Sequence, residues 1–529
     1  MQQFFKACLA SFNTGKRITT ILILFWSINE FKAQHPSQGF SRIILSPQEY
    51  SLNQRIVPEH QGLQPAAWGL ESLFHDLLDS SSITKRYASK IHVKPSFSLN
   101  TGLNYGDKLD FAAGHHAGIS AWWNKEDTWS ASLGYSLVGG LPVPYLADLA
   151  DSLKIIPGAG YATNDGDGIY HAHYTHGHIS YKAGKYFHFE TGKGKHFWGD
   201  GYRSLILSDN SNSYPYFRLT TKIWHIKYTN LWAQLRDISS GQQIQNARKK
   251  YVALHALSWN VSKTVNLTVF EMVVWQDRDS LSTRTLDMNY LNPIIFFRPV
   301  EYAQGSADNE ILGLSFRVKA SSDIQMYGQM VLDEFLLYEI RRGLGWWANK
   351  IGGQVGIKSF NTFTPGLGFQ TEFNVVRPFT YTHGSQVQAW GHLNQPLAHP
   401  WGANFYEWVN FFRYKWKDWT FVEQFTWGAF GRDRDTNPER PGLENYGGNV
   451  FHSYSNPELQ YGNKILQGTK STFNFHQLEV SRNILPEWNL ELFFSHTFRF
   501  EKNEFARSSE HFLMIGIRTN GSLRNVADF

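Results

Sequence analysis

From about residue 91 onward, apolar and polar positions alternate with a period of two, the mark of strands with one face on an apolar phase and one on water. The stretch from Trp488 to Phe500 shows this best. Trp488, Leu490, Leu492, Phe494, His496, Phe498 and Phe500 fall on one side, and Asn489, Glu491, Phe493, Ser495, Thr497 and Arg499 on the other. Leu312, Leu314, Phe316 and Val318 form a similar row against Gly313, Ser315, Arg317 and Lys319. Glu423 breaks the pattern by falling in phase with Phe421 and Phe425, which predicts a bulge or a lumen-facing aromatic row there.

Short turns with aromatic shoulders separate the alternating runs. Trp123 and Trp129 bracket Asn124 to Thr128, Trp416 and Trp419 bracket Lys417-Asp418, and Trp259 precedes Asn260 to Lys263. Indole rings at such turns suit a membrane interface, because the ring is apolar while its N–H still reaches water. Longer polar stretches, at about 139–168, 276–292, 381–404 and 431–470, are expected to be loops at the opposite end. These features predict an all-β protein, a transmembrane antiparallel β-barrel. At about 9 to 11 residues per strand, residues 91–529 hold roughly 16 to 20 strands. A soluble β-sandwich with aromatics at its sheet ends is the alternative.

The N-terminus reads differently. Lys6, Lys16 and Arg17 precede the apolar run Ile18 to Trp26, with Ala33 near a plausible cleavage point, so residues 1–33 read as a signal peptide. That run is too short to span a bilayer, and no later stretch supplies about 18 apolar residues, so any membrane role must use strands. Residues 34–90 carry few aromatics and include the helix-like run Trp68, Leu70, Leu73, Leu77; they read as a periplasmic segment or a lumen plug.

Composition supports a barrel. Aromatics make up 16% of the chain, with 19 Trp, 25 Tyr and 39 Phe, yet the mean hydropathy is −0.38. A lipid face combined with a wet interior gives this balance. Of the formal net charge of +5, +3 comes from Lys6, Lys16, Arg17 and Lys32 less Glu30, so the remainder is near neutral and gives no reason to expect a nucleic-acid partner. The only cysteine, Cys8, lies before the apolar run, which argues against a lipoprotein anchor and leaves no disulfide in the processed chain.

Three segments go beyond pattern: Gly192-Lys193-Gly194-Lys195-His196-Phe197-Trp198-Gly199-Asp200-Gly201-Tyr202-Arg203-Ser204; Asn292-Pro293-Ile294-Ile295-Phe296-Phe297-Arg298-Pro299-Val300-Glu301; and Arg377-Pro378-Phe379-Thr380-Tyr381-Thr382-His383 with Pro396-Leu397-Ala398-His399-Pro400-Trp401-Gly402. Together they resemble the Wzi-type capsule assembly family, in the branch that includes the gliding motility protein RemB, over most of the chain after residue 90. The resemblance implies an outer-membrane barrel of about eighteen strands, periplasmic N-terminal helices, and surface loops that hold capsular polysaccharide, with gliding motility as the role of the related branch. It also directs attention to the C-terminus, where the apolar strand Phe512 to Ile517 is followed by a poorly alternating tail, Leu523 to Phe529.

The chemistry has two readings at each place. Trp198, Tyr202 and Arg203 either pack inside the barrel, with Arg203 paired to an acid, or stack on and hydrogen-bond a sugar. A phosphate loop is excluded, because His196 stands where Ser or Thr is needed after Gly194-Lys195. Arg298 and Glu301 read as a lumen ion pair, or as a clamp for an acidic polysaccharide. His171 and His173 share one strand face and His176 and His178 the other, which suits a wet histidine cluster better than a zinc site. Trp346, Trp347, Trp390 and Trp401 are further candidates for glycan stacking, and Trp346-Trp347 equally for interface anchoring. No constellation calls for an enzyme, a metal or a cofactor. The expected role is a non-catalytic, lectin-like outer-membrane barrel that attaches or organises surface polysaccharide. The alternatives are a passive or plugged channel and an accessory of gliding or secretion machinery.

Overall fold

The computed structural model describes residues 63–65, 91–106, 109–125, 128–238, 247–278, 287–293, 308–361, 363–434, 444–485, 488 and 490–519. Eighteen antiparallel strands close into one barrel. They are β1 (Ile91–Tyr105), β2 (Leu109–Lys125), β3 (Trp129–Leu141), β4 (Tyr170–Ala183), β5 (Phe187–Gly194), β6 (Tyr214–Ile223), β7 (Ile226–Asp237), β8 (Arg248–Asn260) and β9 (Val265–Gln276). The ring continues through β10 (Asn309–Lys319), β11 (Ile324–Leu332), β12 (Ile351–Ser359), β13 (Leu367–Val376), β14 (Phe405–Trp416), β15 (Trp419–Arg432), β16 (Thr469–Leu485), β17 (Leu490–Lys502) and β18 (Arg507–Thr519). Closure is made by β18 on β1, from Ser98↔Arg518 to Tyr105↔His511. The apolar strand around Phe512 to Ile517 is therefore the last staves of the barrel, and residues 520–529 lie outside the described residues.

The two rims differ as the sequence predicts. At one end the connections are tight, from 224–225 and 417–418 up to 360–366; at the other lie 142–169, 195–213, 277–308, 333–350, 377–404 and 433–468. In outer-membrane barrels the short turns are periplasmic and the long loops external. Trp129, Trp259 and Trp416 are exposed beside the short turns, joined by Trp224 in the 224–225 turn. Two short helices, α1 (Pro144–Leu153) and α2 (Leu337–Arg342), stand in external loops, and no helix among the described residues is long and apolar enough to cross a membrane.

Facing follows the alternation. On β17, Leu492 and Phe494 are exposed to the outside while Phe493, Ser495, Thr497 and Arg499 turn inward and are buried. On β10, Gly313, Ser315 and Arg317 face the lumen. Glu423 corrects its own expectation: the ladder from Trp419 to Arg432 runs without a register shift, with no bulge and no inward aromatic row. Glu423 simply points outward, held by His476 Nε2 at 3.0 Å on the neighbouring strand. An ionisable side chain on the outward wall costs solvation even when paired. Glu423→Leu should therefore raise barrel stability by about 1 kcal/mol in urea unfolding from lipid vesicles; a loss of stability would count against this reading.

Of the N-terminal segment predicted over 34–90, the residues Leu63–Pro65 are described, and they pair antiparallel with His196–Trp198 inside the barrel. The rest of it, and residues 1–33, lie outside the described residues.

Candidate functional site

The lumen is not open. The 195–213 connection turns down into it, and the 377–404 connection folds over from the other side. Gly199, with φ at 112°, makes the descent: it lies in a region that L side chains rarely adopt, and a Cβ there would strike the Gln329 amide. At the tip Asp200 meets Arg317 at 3.4 Å. Arg317 lies near the periplasmic end of β10, so the connection reaches on the order of 20 Å below the external rim.

The inward side chains of β11 to β14 receive this loop by matching its backbone. Glu372 accepts the N–H groups of Tyr202 (2.7 Å) and Arg203 (3.0 Å), the Tyr327 hydroxyl (2.9 Å) and the Asn374 amide (2.9 Å). Gln354 donates to the Arg203 carbonyl at 3.0 Å, and Gln329 both donates to the Trp198 carbonyl and accepts from the Leu205 N–H. The Arg203 guanidinium donates to Glu407 through Nη2 at 2.9 Å and Nε at 3.2 Å, and His399 Nε2 lies 2.7 Å from the same carboxylate. All three side chains are fully buried. The charges are taken out of water, so the arrangement is stable only because each partner is matched.

The 377–404 connection completes the seal. The Tyr381 hydroxyl donates to the Leu205 carbonyl and the Trp390 indole to that of Ile206, each at 2.7 Å. Trp198, Leu205, Ile206, Tyr381, Trp390 and Leu397 then share one apolar core with inward residues such as Leu254, Met272 and Phe405. Trp401 sits between Phe405, Phe430 and Phe473, with ring centroids 5.1 to 5.7 Å away.

Burial lowers His392 to about 3, helped by Lys250, and His383 to about 4, helped by Lys350. Each is thus held neutral in the fold with a pKa below its unfolded value of about 6.5. The stability they lend is complete above pH 6.5 and is lost as pH falls toward 4 and then 3. Peptides from 383–393 should exchange backbone hydrogens faster at pH 5 than at pH 7.5 after correction for the intrinsic rate. Equal protection would refute the coupling.

A second cluster lies at the external end. The Trp347 ring lies tilted 5.0 Å from that of Tyr454 and edge-on 5.7 Å from that of Phe379, with Trp346 6.1 Å away. Beneath them the fully buried Lys350 lies 4.0 Å from the Tyr454 ring, 3.4 Å from Glu334 and 3.8 Å from Asp333, and donates to the Thr382 carbonyl. Burial pushes the Asp333 carboxyl up to about 7 despite that ammonium. Trp346 and Trp347 are half-buried, and Arg341 and Arg342 on α2 are exposed beside them.

Of the residues singled out in the sequence, Trp198, Tyr202 and Arg203 come together in the lumen. Their surfaces are 1%, 4% and 1% exposed, so in this form they present no face to a polysaccharide. Trp401 is half-buried and packs against the same interior. Trp346 and Trp347 are the pair left at the external surface. Arg298 and Glu301 lie outside the described residues. His171 and His173 do face outward and His176 and His178 inward, and no group of three metal-ligating side chains converges among the described residues. No motif marks Glu372, Gln354, Gln329 or Glu407 as loop receptors; their signal was only a polar residue in an inward strand phase. Tyr454 and Lys350 were missed because their neighbours come from connections far apart in the chain.

No family model and no curated protein matches this chain. Among solved structures it is similar to Wzi from Escherichia coli, an outer-membrane protein described as a carbohydrate-binding β-barrel involved in group 1 capsule assembly. The TM-score is 0.53 at 13% identity, over 90% of this chain and 97% of that one. OccAB2 of Acinetobacter baumannii (TM-score 0.44, 11% identity, 82% and 98% covered) and OccK8 of Pseudomonas aeruginosa (0.43, 8%, 82% and 98%) are more distant. At these identities the likeness to Wzi shows the fold alone, a large closed β-barrel.

Proposed function

We propose that this barrel is a closed, non-catalytic anchor in the outer membrane that holds an acidic surface polysaccharide on its external loops. The observation that carries the reading is the division of labour between the two clusters. The lumen is occupied by two interlocked connections, while the external rim keeps a half-buried aromatic pair, Trp346 and Trp347, beside the exposed Arg341. Aromatic faces stack on sugar rings and a guanidinium suits uronate or phosphate groups. The carbohydrate binding described for Wzi supports the same reading. Cells carrying Trp346→Ala/Trp347→Ala in place of the native chain should make a normal amount of polymer and shed it into the medium. Normal retention with normal barrel levels would overturn the proposal.

A second reading, a solute channel gated by these connections, is favoured by the polar inner wall of the periplasmic half, where His178, Glu190 and Arg218 face the lumen. Steady stepwise conductance of the native protein in planar bilayers would support it over the closed anchor. A service to motility or secretion machinery, which the sequence resemblance also implied, would be supported by recovery of such components in pull-downs from solubilised outer membranes.

A further inference from the structure

The outward phase of β16, β17 and β18 changes character along its height. On β17 it runs upward from the periplasmic end through Leu492, Phe494, His496, Phe498 and Phe500, apolar except for the histidine, and turns to Lys502 at the last position. The neighbouring strands change at the same level. Lys502 stands directly opposite Arg507 on β18 and Thr472 on β16, and Lys470 is the next outward position above Thr472. All three cations are exposed. From Leu490 to Lys502 the strand rises on the order of 40 Å along its own axis, or about 30 Å along the membrane normal at a tilt of about 40°. An apolar band about 25 Å tall ends just below Lys502, so Lys470, Lys502 and Arg507 stand at the level of lipid headgroups.

This grouping is unfavourable by itself. Facing side chains across a ladder lie about 5 Å apart and diagonal ones about 7 to 8 Å, and like charges at such spacings repel. The nearby carboxylates do not relieve the repulsion. Glu501 turns inward, to Arg499 at 3.0 Å and Arg432 at 3.3 Å, and Glu504 in the 503–506 turn holds Arg434 at 3.1 Å. Among the described residues Lys470, Lys502 and Arg507 form no ion pair; the Arg507 guanidinium lies over the Phe500 ring, 5.2 Å from its centroid. At this end β17 joins β18 through 503–506 and β1 joins β2 through 106–108, so no long connection rises from β17, β18 or β1 to cover the cations.

We propose that Lys470, Lys502 and Arg507 bind the phosphate of an outer-leaflet lipid headgroup, with the acyl chains of that lipid lying along the wall below. Phosphate follows from the donors: a guanidinium offers paired N–H groups to phosphate oxygens, and the two ammonium groups add compact charge beside it. A lipid, as opposed to a free anion, follows from the wall, because Leu492, Phe494 and Ile515 are exposed beneath the cations on the same strands. Asn474 and Ser509, in the row between and directly opposite Phe500, supply hydrogen-bonding groups for headgroup hydroxyls. The site lies on the outer wall of the barrel, away from the loops that carry Trp346 and Trp347, and it fixes the height at which the barrel sits in the membrane.

The test measures binding of diphosphoryl lipid A to the full-length protein in neutral detergent micelles by native mass spectrometry. The native barrel should retain a single lipid A molecule. Each of Lys470→Gln, Lys502→Gln and Arg507→Gln should weaken binding about fivefold, the triple change about a hundredfold, and removal of the phosphates from lipid A by a comparable factor. Lys502→Arg, which keeps the charge, and Lys263→Gln, in a turn at the periplasmic end, should bind as the native chain does. Equal affinity for phosphorylated and dephosphorylated lipid A overturns the proposal, as does a triple variant that binds lipid A like the native chain. Displacement of the lipid by millimolar inorganic phosphate would reduce the site to one for a free anion. Loss of binding to the extracted polysaccharide in the triple variant, with lipid binding unchanged, would assign the cations to the polymer; either of these results also overturns the proposal.

Discussion

Arg203→Ala should turn a silent barrel into a conducting one and cost about 3 to 5 kcal/mol of stability. The guanidinium is fully buried against Glu407, which also receives His399 and the Asn374 amide. Removing the guanidinium leaves the buried carboxylate without its main partner, with no water to replace the lost pair. The Tyr202-Arg203 backbone would still be offered to Glu372, but the side chain that fixes the 195–213 connection across to β14 is gone. Planar-bilayer recordings should show no steady conductance for the native protein and stepwise opening for the variant, and the variant should unfold at lower SDS or temperature in gel-shift assays. Arg203→Ala/Glu407→Gln should be less destabilised than the two single effects together, because the pair is coupled. A silent, equally stable Arg203→Ala barrel would mean that the connection is held by its apolar core alone.

Trp401→Ala should lower stability by about 3 kcal/mol while leaving polymer binding unchanged, the opposite of the outcome at Trp347. Its ring is packed among Phe405, Phe430, Phe473 and His399, so truncation opens a cavity where the 377–404 connection meets β14 to β16. Trp347 is half-buried, and its alanine variant should keep its heat-modifiability and lose about tenfold in affinity for the extracted polysaccharide, a difference of about 1.4 kcal/mol. If Trp401→Ala alone weakened binding, the polysaccharide site would extend into the interior.

The interior was partly legible and partly not. Packing of Trp198, Tyr202 and Arg203, with an acid for Arg203, was one of two readings open from the sequence. The identity of that acid, two hundred residues away, was not readable, because a strand's period tells which face a residue is on and never which loop will cross it. The backbone of the 377–404 connection is harder still. Phe379 and Tyr381 both take positive φ, at 66° and 73°, a conformation that costs L residues about 1 to 2 kcal/mol. It is held by the Gly447 carbonyl accepting from Phe379 and by Asp333 accepting from Tyr381 at 2.6 Å. No local pattern forecasts bulky aromatics there.

What the sequence determined by itself is the barrel: its strands, their inward and outward faces, the short turns with tryptophan shoulders and four of the long external loops. These follow from a period of two and from the demand that a chain in lipid satisfy every backbone group by closing its sheet. What only the tertiary structure decided is that the lumen is shut, which aromatics are inside and which outside, and that Glu423 faces outward beside His476. Those outcomes depend on contacts between residues distant in the chain, where burial and charge pairing, not periodicity, select the arrangement.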